Sequence, residues 1–133
     1  MRTMCALLAS DQAVLRNLHT LVEPEFNVVA MSDNVLSFFD ALTSLEPDVV
    51  VVDAFVSVPY EGNLVRHVRA RYPNLAVVVV AEDAESTEVK KALSWGACGY
   101  VLKQSLASEL CEAIREVSQG KCYVSSGVRD WVR

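Results

Sequence analysis

The sequence predicts an α/β domain: a doubly wound parallel sheet with helices on both faces. Three observations predict it. Short apolar runs alternate with helix-period segments along the whole chain. Two of those runs, VVVVD at 49–53 and AVVVV at 76–80, are apolar at successive positions, as strands buried on both faces must be. Turn residues (Pro24, Pro47, Pro73, Gly96, Gly120) separate the segments.

Residues 4–9 read as a buried first strand. Residues 11–22 then place Val14, Leu15, Leu18, Leu21 and Val22 on one helical face, and Pro24 ends that helix. A second strand covers 27–31, with Ser32 or Asp33 available to cap the next helix. The expected core stripe of that helix is Val35, Leu36, Phe39, Leu42 and Leu45, closed by Pro47. The valine strand runs into Asp53, and a loop through Pro59 and Gly62 leads to a third helix marked by Leu64, Val65, Val68 and Tyr72. After the strand at 76–80 come a helix over 85–95 stopped by Gly96, a short strand at 100–102, and a helix over 107–119 with Leu110, Ile114 and Val117 inward. Five strand–helix units in strict alternation imply right-handed crossovers, and the flavodoxin-like strand order 2-1-3-4-5 is the common solution at this length.

Composition narrows the function. A chain of 133 residues fits one domain with a sizeable core, and 52% hydrophobic residues fill it. No run reaches the ~18 uncharged apolar residues of a membrane span, and the N-terminus lacks the pattern of a signal peptide. A net charge of −5 argues against nucleic-acid binding by this segment. Cys5, Cys98, Cys111 and Cys122 form no CxxC pair, so they carry neither a zinc nor a redox signature. Cys5 reads as a core residue, and a reducing cytoplasm is the expected setting. His19 and His67 fall on polar helix flanks, as solvated residues do.

In open α/β sheets, ligands sit beyond the carboxyl ends of the strands, at the switch point between strands one and three. Asp11 and Asp53 follow those two strands, and Lys103 follows strand five on the same rim. Two carboxylates and an ammonium suit a hard dication and an incoming phosphoryl group. An aspartate after a strand also serves as a helix cap, a reading that stays open for Asp11. A carboxylate placed directly after four buried valines calls for a chemical reason.

Asp11, Asp53 and the run GYVLK across strand five resemble the receiver domains of bacterial two-component response regulators. WGACGYVLKQS and REVSQGKCYVSS are similar to the NarL/FixJ group, whose receivers precede a LuxR-type helix-turn-helix. The resemblance implies that Asp53 is the phosphoacceptor, that Lys103 contacts the phosphate, and that Asp11, Asp53 and the Phe55 backbone carbonyl hold Mg2+. Tyr100 takes the place of the aromatic switch residue. A sensor histidine kinase would be the phosphodonor and a homodimer the assembly. Residues 1–120 would be the receiver, and 121–133 the start of a linker toward a DNA-binding domain absent from this chain. Val128, Trp131 and Val132 would pack on helix five or a second subunit. Such a domain is a signalling module, not an enzyme.

Four departures from the family pattern bear on that chemistry. Ser10 replaces an acid that holds the metal through water, Ala81 replaces the Ser or Thr that contacts the phosphoryl group, and Glu82 replaces a small residue. The loop after Asp53 has Val56 and Ser57 where Met-Pro is usual, with Pro59 later. Together they imply a slow, weakened or lost phosphorylation switch, so a degenerate receiver acting as a phosphorylation-independent dimerisation or partner-binding module is the alternative. A small flavodoxin-like enzyme or nucleotide binder is disfavoured, since SDQAVL after strand one is no Gly-rich phosphate loop.

Overall fold

The alternation of apolar runs and helical segments resolves into one parallel sheet in the computed structural model, which describes residues 2–54, 64–82 and 86–128. The elements are β1 (Met4–Leu8), α1 (Gln12–Val22), β2 (Asn27–Ser32), α2 (Val35–Leu45), β3 (Val49–Asp53), α3 (Leu64–Arg71), β4 (Ala76–Ala81), α4 (Ser86–Ser94), β5 (Gly99–Leu102), α5 (Leu106–Ser118) and β6 (Tyr123–Val124). A 3-10 turn, Lys103–Ser105, joins β5 to α5. The strand order is β2-β1-β3-β4-β5-β6, and every pair is parallel. The predicted order of the first five strands is observed. The two-residue β6 was not foreseen, because a pair of residues carries no legible period.

Strand alternation divides the core into two apolar layers. Ala6, Leu8, Val50, Val52, Val77, Val79, Ala81, Tyr100 and Leu102 face the layer shared with α2, α3 and α4. Cys5, Leu7, Ala9, Val49, Val51, Val78, Val80 and Val101 face the layer shared with α1 and α5. This explains why β4 and the four valines of β3 are apolar at successive positions and why both strands are buried throughout.

Helix α2 departs from the expected stripe. Val35, Phe38 and Leu42, spaced three and four apart, face the sheet and are buried. Phe39 lies on the flank, edge-on to Phe38 and under the Arg71 guanidinium, while Leu36 is 77% exposed and Leu45 44% exposed. With two adjacent phenylalanines the periodicity alone fits two stripes, and the sheet contact selects Phe38. Its cap also differs: Asn34, with extended backbone, accepts from the Ser37 N–H at 2.9 Å. Asp33 instead accepts from the Gln12 and Asn34 side-chain amides.

At the end of α4, Gly96 adopts φ +109°, and a Cβ there would lie 2.8 Å from Arg69 Cγ. The position needs glycine for both reasons. Among the described residues no helix is long and apolar enough to cross a membrane, and all four cysteines are free. Burial, with Asp48 and Cys111 nearby, pushes the Cys5 thiol up to about 12.

Candidate phosphoryl-acceptor site

Strand register builds the site. Leu8 pairs with Val52, Asp53 with Val80 and Ala81 with Leu102, so the carboxyl ends of β1, β3, β4 and β5 form one rim. Asp53 is the last residue of β3 and its side chain is only 3% exposed. Lys103 begins the turn after β5 and extends its ammonium to within 3.1 Å of Asp53 Oδ2. Residues fifty apart in sequence thus form a mostly buried ion pair.

Asp11 stands on the same rim as the N-cap of α1, where Oδ1 accepts from the Ala13 N–H at 2.8 Å. It is exposed, as is Ser10 beside it. Capping and metal binding do not compete for the whole group, since a carboxylate has a second oxygen. Ala81 is buried, Glu82 is exposed, and Tyr100 is 2% exposed within the same apolar layer as Ala81. Phe55, Val56, Ser57 and Pro59 lie outside the described residues, as do Glu85, Trp131 and Val132.

One group near the site was missed from the sequence. Glu109 of α5 is 8% exposed, although it is an acid. Its Oε1 accepts from the Tyr123 hydroxyl at 2.6 Å and the Ser126 N–H at 3.1 Å, and its Oε2 accepts from the Ser125 hydroxyl at 3.3 Å. The available signal was its spacing: Glu109 lies three residues after Leu106 and four before Ala113, within the buried stripe of α5. Burial opposes its ionisation, but the hydrogen bonds from Tyr123, Ser126, Ser105 and Ser125 outweigh that and hold its carboxyl below the ordinary value of 4.5.

A group with a lowered folded pKa stabilises above its unfolded value, and loses that contribution as pH falls through the folded one. The stability difference between wild type and Glu109→Gln is therefore expected to be full at pH 7 and to shrink on acidification below about 4.5, as urea titrations at each pH would register.

Comparison with known proteins decides the family: residues 7–115, most of the chain, match the response regulator receiver domain. The chain belongs to that family. Among curated relatives of this receiver is the transcriptional regulatory protein DegU of Brevibacillus brevis, 32% identical over 103 residues, or 77% of this chain and 44% of DegU. A solved LuxR-family two-component response regulator from Aurantimonas superposes with a TM-score of 0.88 at 25% identity, covering 99% of this chain and 96% of that one. The isolated receiver of RcsB from Salmonella enterica superposes over the full length of both chains with a TM-score of 0.89 at 19% identity, which is a likeness of fold. The NarL/FixJ-type, LuxR-family resemblance read from the sequence agrees with these relatives. The receiver spans about half the length of the curated relatives it matches.

Proposed function

We propose that this receiver accepts a phosphoryl group on Asp53 from a sensor histidine kinase and thereby regulates transcription through an output domain. The observation that carries this reading is the 3.1 Å pairing of Lys103 with Asp53 at the carboxyl rim of the sheet. In the transfer, an Asp53 oxygen forms the new P–O bond as the P–N bond of a phosphohistidine breaks. The leaving imidazole nitrogen keeps that electron pair and takes up a proton. Lys103 follows the charge from the carboxylate onto the phosphoryl oxygens. Uptake is stoichiometric, as suits a signalling domain and not an enzyme.

The rim suits Mg2+ by its donors. Asp11 and Asp53 offer carboxylates and Ser10 a hydroxyl, an all-oxygen set for a hard dication that keeps several waters. Among the described residues no group of three or more His, Cys, Asp or Glu side chains forms a metal site. Water and phosphoryl oxygens would therefore fill much of the shell, with weak affinity because Ser10 is not an acid. The bound ion would offset the negative charge gathered by the two acids and the phosphoryl group.

DegU, named a transcriptional regulatory protein, is matched over 44% of its length. DNA contact accordingly belongs to a region outside this receiver, and a homodimer in the cytoplasm is the working state we assign. The four free cysteines accord with a reducing compartment.

A second reading is favoured by Ala81, which is buried beside Tyr100 in one apolar layer. A methyl group there offers no hydrogen bond to a phosphoryl oxygen, so Tyr100 would be set by a partner protein instead of by phosphate. Incubation with magnesium and acetyl phosphate, read by intact mass, separates the two. The phosphoacceptor reading predicts a magnesium-dependent mass increase of one phosphoryl group that vanishes in Asp53→Asn. A folded wild type that gains no mass at saturating donor would leave the partner-binding module.

A further inference from the structure

The β5–β6 ladder ends in an unusual way. Tyr123 N–H donates to Cys98 O at 3.0 Å and Ser125 N–H to Tyr100 O at 2.8 Å. At the next step the Leu102 N–H, one residue before Lys103, finds not a backbone carbonyl but the Ser125 hydroxyl oxygen at 3.0 Å. Ser125 is fully buried, and its own O–H donates to Glu109. Leu102, the residue that leads into the turn carrying Lys103, is thereby tied through Ser125 to one buried acid.

Apolar contacts close the arrangement. Val128 is fully buried in the layer containing Leu102 and Tyr100, and a Cβ on Gly127 would come within 3.0 Å of Leu102 Cδ1. Segment 123–128 is thus docked along β5 as far as the residue that precedes the lysine.

We propose that Glu109 and Ser125 are positioning residues for Lys103, which makes segment 123–128 part of the scaffold of the phosphoryl site. The proposal rests on the reading of Asp53 as the acceptor and adds a regulatory link to it. A buried, hydrogen-bonded carboxylate fixes the entry to the turn, because releasing Leu102 and Ser125 strands polar groups away from water. Linkage is reciprocal: if docking of 123–128 favours the Lys103 position that meets a phosphoryl group, then a phosphoryl group favours docking by the same factor.

The test compares wild type, Glu109→Gln, Ser125→Ala and Asp53→Asn as full chains. The NMR resonance of the Lys103 ammonium reports the pair, and acetyl phosphate kinetics report uptake. Glu109→Gln and Ser125→Ala are expected to move the Lys103 resonance toward its position in Asp53→Asn. They should also lower the maximal uptake rate about tenfold. The half-saturating magnesium concentration should stay unchanged, because Asp11 and Asp53 are untouched. A loosened fold would disturb both parameters together. Ser125→Ala removes a single hydroxyl and decides the matter alone if Glu109→Gln does not fold.

A Lys103 resonance at its wild-type position, in a variant whose 123–128 amides exchange freely, overturns the proposal. If wild type takes up no phosphoryl group, the acceptor reading fails, while the Lys103 resonance still decides the positioning claim.

Discussion

Phe38→Ala is expected to destabilise the receiver by about 3–5 kcal/mol. Phe38 is the largest fully buried side chain among the described residues, held in α2 against the layer that contains Ala6, Leu8, Val50 and Val52. Removing its ring forfeits the transfer free energy of the lost carbons and leaves a cavity that a parallel sheet, hydrogen-bonded on both sides, cannot collapse to fill. Domains of this size are stable by about 5–15 kcal/mol, so the variant is left marginal. Phe39→Ala, on the flank, should cost distinctly less, and Leu36→Ala, on an exposed side chain, should stay within about 0.5 kcal/mol. Urea unfolding midpoints of the three variants measure the ranking. A larger effect at Phe39 than at Phe38 would contradict the orientation of α2.

Lys103→Met is expected to cost about 3 kcal/mol, whereas Asp53→Asn costs about 1 kcal/mol or less. The asymmetry follows from burial. The Asp53 side chain is 3% exposed, and the Lys103 ammonium lies 3.1 Å from it. Replacing that ammonium by a thioether leaves a carboxylate in a poorly solvated place. The Lys103 side chain, 18% exposed, keeps some access to water when the acid is neutralised. Thermal and urea unfolding at pH 7 would register the difference. Equal losses in the two variants would mean that the pair acts only as packing.

These expectations differ in how far the sequence reaches. The valine runs of β3 and β4, the helix stripes of α1 and α5, and the stops at Gly96 and Gly120 were legible because each is a local pattern with a period or a required φ. Asp53 and Lys103 were legible for another reason. Right-handed parallel crossovers bring the carboxyl ends of β3 and β5 to one rim, so topology alone places the two residues near each other. The choice between Phe38 and Phe39 was not legible. Neighbouring aromatics satisfy the helical period equally well, and the packing of α2 against β1 and β2 decides between them.

What the sequence determined by itself is therefore the class of fold, the order of the first five strands and the meeting of Asp53 with Lys103 at one rim of the sheet. Periodicity and strand-end position are properties of short segments, and they survive being read one segment at a time. The tertiary structure alone decided which residues receive the buried polar groups. Glu109 is fourteen residues from Tyr123 and sixteen from Ser125, and no period links them. They meet because β6 adds to the edge of β5 while α5 lies across the same end of the sheet. A carboxylate placed on the buried stripe of a helix is held there only by partners that bring it hydrogen bonds, and those partners are chosen by the fold.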